Sequence, residues 1–103
     1  MHLVFSTCPQ DQATAIAERL VEARLAACCN CLPAISSVYW WEGKLTREEE
    51  ALLIFKVPAA RLEVMMARLA ELHPYEVPEI LAVPVSAGFA PYLAWVAAEA
   101  TGS

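Results

Sequence analysis

The chain has 103 residues, 58% of them hydrophobic and 18% charged, with a formal net charge of −5. That is the size of one small domain, and the acidic balance excludes the basic face on which non-specific nucleic-acid binding depends. No apolar run approaches the roughly 20 residues of a transmembrane helix, and a domain this small cannot hide so much apolar surface alone, so an apolar interface between copies of the chain is expected.

The opening MHLVFSTCPQDQ lacks a basic region followed by a long apolar core, so no secretory signal is expected and the protein is read as cytoplasmic. HLVFST, residues 2–7, reads as a short apolar strand, with His2 at the surface beside its start. Pro9 fits the first turn of a helix, where its missing N–H costs nothing. Ala13, Ile16, Leu20 and Ala23 recur at helical spacing and predict a first helix ending near Leu25.

The four cysteines are Cys8, Cys28, Cys29 and Cys31, read as reduced thiols. Their spacing is not that of a zinc finger or ribbon. In a strand, Cys29 and Cys31 share one face and Cys28 the other. Small buried hydrophobes are the expected role.

From Cys28 to Trp41 the pattern is extended. Ile35, Ser37, Tyr39 and Trp41 share one face; Ser36, Val38 and Trp40 share the other. Both faces carry aromatics, which predicts cover on both. Gly43 marks a turn, and EEEALLIFKV returns antiparallel to the first long strand. This hairpin is long for so small a domain, so its tip is expected to project onto a partner subunit.

Pro58 opens a second helix whose apolar stripe is Leu62, Met65, Met66, Leu69 and Leu72. Pro74 disfavours helical geometry in the residue before it, so this helix must stop near His73. ILAVPV, residues 80–85, is another short strand. Gly88 breaks it, and Pro91 starts a last helix with Phe89, Leu93 and Val96 inward. A frayed tail is expected from Thr101 to Ser103. The order of elements predicts an α+β fold: one ferredoxin-like βαββαβ sandwich over residues 1–103, with a long β2–β3 hairpin and an additional C-terminal helix. Both helices cover one face of the sheet, and the other face is left for a partner.

No glycine loop for phosphate, zinc-protease motif or nucleophile elbow is present, and no enzyme activity is expected. The stretch that concentrates chemistry is HPYEVPEI, His73 to Ile80. Its prolines predict an extended path, with His73, Tyr75, Val77 and Glu79 pointing one way and Glu76 the other. Two readings stay open. The segment is a ligand cleft in which His73 and a carboxylate bind metal or act as an acid/base pair. Alternatively it is a rigid connector, its polar groups satisfied by neighbouring backbone and by Lys56, Arg24 or Lys44.

These stretches together resemble the CutA-type divalent-cation-tolerance family. HPYEVPEI is close to the family's signature, and LAACCNCLP at 25–33, SVYWWEGK at 37–44, Lys56 after the third strand and YLAW at 92–95 fit in order. The resemblance implies a tight homotrimer whose hairpins pair across subunits. It also implies a role in tolerance to copper and other divalent cations, with no organic cofactor. In metal-binding members a cysteine ends the first strand and two histidines precede the Pro-Tyr. Here Ser6 and Leu72 occupy two of those positions, which leaves Cys8 and His73 as the metal ligands, combined across subunits. Trimers of this build also resemble PII-type signalling proteins. On that alternative, an inter-subunit cleft lined by Trp41, Lys56, Tyr75, Glu76 and Glu79 binds a small anion or a partner's tail.

Overall fold

The computed structural model describes residues 1–102. It consists of β1 (His2–Cys8), α1 (Ala13–Glu22), β2 (Cys28–Trp41), β3 (Lys44–Val57), α2 (Leu62–Leu72), β4 (Leu81–Pro84) and α3 (Ala90–Glu99). The four strands form one sheet in the order β2-β3-β1-β4, all neighbours antiparallel. This is the ferredoxin-like plan expected from the order of elements, with α3 appended.

Side-chain alternation sorts the sheet into two faces. Val4, Ser6 and Cys8 of β1 and Ala51, Leu53, Phe55 and Val57 of β3 are buried with Ile16, Leu20, Met65 and Leu69 of the helices. Full burial of a side chain such as Leu20 contributes about 2–3 kcal/mol. The opposite face carries a row of paired positions, Asn30, Ile54, Phe5 and Leu81, and a second row through Leu52 and Thr7. Leu81 is 58% exposed there, and no element among the described residues covers it.

The hairpin turns on Glu42 and Gly43, both at positive φ (49° and 77°), so that Trp41 pairs directly with Lys44. Two left-handed residues match the twist of the flanking strands. The tight turn starts β3 at Lys44, earlier than the acidic run from Glu48 suggests. Between Leu32 and Ile35 the register shifts by one residue. Pro33 and Ala34 form this bulge, and Ala34 sits at φ 58°. Gln10 braces it: its side-chain oxygen accepts the Ala34 N–H at 2.6 Å, and its amide donates to Glu49 at 2.9 Å. The hairpin gives the chain its length, 45 Å against 26 and 21 Å in the other directions.

Several local expectations are corrected. The first helix stops at Glu22, short of Leu25, and Ala23 is exposed. Arg24 takes a left-handed φ of 61°, while the N–H groups of Arg24 and Leu25 return to the carbonyls of Val21 and Leu20. That is a Schellman closure, with the side chain of Leu25 turned into the core. Phe89 points outward, 76% exposed, because it precedes α3 in extended conformation and only its carbonyl serves the helix. His2 is half-buried, with its Nδ1 unpartnered. Cys31 is exposed and Cys28 and Cys29 half-buried, so of the four thiols only Cys8 is a fully buried hydrophobe. Thr101 and Gly102 leave the helix as expected; Ser103 lies outside the described residues.

Candidate functional site

The HPYEVPEI segment begins where α2 is forced to end. His73 is already extended (φ −74°, ψ 135°), as the following proline requires, and its N–H still caps Leu69. Its ring is buried and occupied at both nitrogens. Nδ1 accepts the backbone N–H of Tyr75 at 3.1 Å, so Nε2 carries the proton and donates to the Thr7 carbonyl at 2.8 Å. The imidazole is thereby fixed as one neutral tautomer and ties the segment to the end of β1.

Beyond Tyr75 the extended alternation fails. The chain bends over residues 74–77, and Val77 and Glu79 are exposed rather than aligned with His73. Tyr75 packs its ring against His73, centroids 4.8 Å apart, and donates its hydroxyl to the Glu50 carboxylate at 2.8 Å. Glu50 is buried at the root of the hairpin, directly opposite Ile35. Two residues away, Tyr39 donates its hydroxyl to Glu48. Burial, followed by the Glu50 hydrogen bond, holds the Tyr75 phenol well above its ordinary range. The hydrogen bond to Glu48 is the main cause that pushes Tyr39 up to about 12.

His73 meets the backbone of β1 one residue before Cys8: the Thr7 carbonyl accepts its Nε2–H. The Cys8 thiol is fully buried, and burial first, then Cys31 and Glu50, push its pKa up to about 11. Ser6 is buried with its Oγ unpartnered, and Leu72 packs against the core. Among the described residues, no three His, Cys, Asp or Glu side chains gather as a metal cluster.

The candidate cleft residues are not brought together within one chain. Trp41 pairs with Lys44 at the hairpin tip, while Lys56 pairs with Cys28 at the other end. Twelve residues of strand at about 3.3 Å each separate these ends by roughly 40 Å. Lys56 bonds the side chain of Asn30, and Arg24 pairs with Glu99 at 2.7 Å, so neither serves HPYEVPEI. Glu76 and Glu79 are exposed.

The same overall fold recurs in known proteins. The family model described as CutA1 divalent ion tolerance protein matches residues 2–99. This chain belongs to the CutA1 divalent ion tolerance family. Among relatives, Protein CutA homolog of Xenopus laevis is 43% identical over 93 residues, 89% of this chain. The chain spans 62% of that frog protein and 52% of the mouse and human CutA proteins. Among solved structures, CutA from Xylella fastidiosa superposes with a TM-score of 0.94 at 42% identity, covering 97% of each chain. The PII-like protein CutA from Nostoc, in apo form, superposes at 0.93 with 34% identity over 98% of each.

In this CutA1 family member, the polar groups of His73 and Tyr75 are met by backbone and by Glu50 rather than by basic side chains. Sequence reasoning missed two of the partners, Glu50 and the Thr7 carbonyl. A half-buried phenol favours an acceptor, and the acidic run before the apolar part of β3 supplies one. Which of three successive glutamates does so depends on where the ladder with β1 ends, at Ala51 opposite Cys8.

Proposed function

We propose that the chain works as a homotrimeric, non-enzymatic divalent-cation-tolerance protein that holds copper or a related divalent ion weakly. One observation carries this reading: the family match runs through the whole fold, including the elements that bring His73 against the Thr7–Cys8 end of β1. An imidazole with a thiolate suits copper or zinc over magnesium. To bind, Nε2 of His73 must surrender the Thr7 carbonyl, and the Cys8 thiol must lose a tightly held proton. Both requirements favour weak, exchanging occupancy and a site completed by a neighbouring subunit. The cytoplasm suits the four free thiols.

The test is calorimetric titration of reduced, metal-free protein with copper, zinc and magnesium. Copper or zinc is expected to saturate at about one ion per chain with no response to magnesium, and His73→Gln is expected to weaken binding several-fold, since the ring is a direct ligand. Identical curves for wild type and His73→Gln would sink the ligand assignment.

A second reading is a PII-like adaptor, favoured by the superposition on the PII-like Nostoc protein. Its cleft would gather Trp41, Lys56, Tyr75, Glu76 and Glu79 from different subunits, because one chain holds its ends far apart. A screen of small anions by tryptophan fluorescence checks this reading, and the absence of any response counts against it.

A further inference from the structure

The CCNC stretch at the start of β2 holds thiols that neither reading uses. Cys29 pairs with Phe55 and Cys31 with Leu53, so both side chains lie on the helix-bearing side of the sheet. Cys28 lies on the other face, where its sulfur meets the Tyr92 hydroxyl at 3.8 Å. β2 is an edge strand, and Cys31 is exposed on it. Cys29 is half-buried against the core, its thiol loosely directed at the Asn30 carbonyl, 3.7 Å away. We propose that Cys29 and Cys31 together form a two-thiolate site for one soft monovalent cation of the copper(I) class, one that does not use His73.

The geometry selects this chemistry over its competitors. Strand residues two apart are about 6.7 Å apart at Cα, with parallel Cβ directions. That separation is at the upper limit for a disulfide, which also needs Cβ atoms near 4 Å. Two metal–sulfur bonds of about 2.3 Å each span a wider gap between the sulfurs and let both side chains keep their directions. Zinc asks for four ligands, and among the described residues no third His, Cys, Asp or Glu joins such a group. A two-coordinate soft ion needs only the pair. Burial, with Cys31 alongside, holds the Cys29 thiol far above the ordinary range. Loading therefore exchanges protons for metal: each thiol gives up its proton, and one cation takes both sulfur lone pairs without any change of oxidation state.

The experiment is an anaerobic titration of the reduced, metal-free chain with copper(I) supplied from a weak chelator. It follows the ultraviolet thiolate-to-metal band and the protons released. Saturation is expected at about one ion per chain with about two protons released, and tighter binding is expected as pH rises. Cys29→Ser and Cys31→Ala should each weaken uptake by roughly a hundredfold, because one thiolate is a poor site for a soft ion. Cys28→Ser should keep it. Cys31 is exposed, so Cys31→Ala tests the site without disturbing the core. No saturable band, a band that survives both Cys29→Ser and Cys31→Ala, or one abolished by Cys28→Ser would overturn the proposal. A copper(I) titration of His73→Gln separates the two sites, since the Cys29/Cys31 pair predicts an unchanged band there and its loss would overturn the proposal.

Discussion

At the scale of single residues, the histidine of HPYEVPEI works first as a joint. His73 joins Tyr75 to the end of β1, and Tyr75 joins Glu50 to the same point. Removing one partner of a buried hydrogen bond exposes the cost of the other. Tyr75→Phe leaves the Glu50 carboxylate buried without its donor and should cost about 1–3 kcal/mol. Glu50→Gln keeps an acceptor for the phenol and should cost less. Denaturant titration of both variants checks the order, and equal losses would contradict it. Alkaline pH tests the same residues together. Cys8 is pushed from 9.0 up to about 11, Tyr39 from 10.0 up to about 12, and Tyr75 also upward. The folded chain holds these protons more tightly than the unfolded chain. Their contribution is complete below about pH 9 and is lost as pH rises through 11 to 12. The thermal midpoint should fall across that window, less steeply in Tyr75→Phe. The proline rule made the end of α2 legible in the sequence, and the connector reading anticipated a polar joint at His73. The partners were not legible, because they are set by the register of β1 on β3, which local spacing does not encode.

At the scale of elements, the long hairpin is built from two departures from regular strand. Only the turn was partly visible in the sequence. Gly43 announced a turn, but the left-handed Glu42 beside it did not, and the bulge at Pro33 and Ala34 was not anticipated. Gly43→Ala places a side chain at φ 77° and should destabilise by about 1 kcal/mol. Glu42→Asn suits the same turn better and should stabilise by a few tenths of a kcal/mol. Thermal melts of the two variants should shift in opposite directions. Gln10 had no signal at all, since its two bonds reach residues 24 and 39 positions away. Phe89 shows the reverse error. Its apolar character suggested burial, whereas its position just ahead of α3 turned the ring to the surface.

At the scale of the whole molecule, the apolar excess reappears as surface. Trp40 and Trp41 are 75% and 61% exposed at the hairpin tip, and the sheet face opposite α1 and α2 carries Phe5, Ile54, Leu81 and Val83. Exposed patches of this kind mark interfaces. Composition alone pointed to assembly; the number three came from the family resemblance. Leu81→Glu places a charge on the open face at a site already half in solvent, so the subunit should keep its secondary structure while the assembly falls apart. Circular dichroism with size-exclusion chromatography reads both effects. The most direct test is the mass of the reduced wild-type chain by sedimentation equilibrium at micromolar concentration. A trimer of 11.3 kDa chains predicts a single species of about 34 kDa. A stable monomer, with that apolar face bare in water, would contradict the assembly and with it any site shared between subunits.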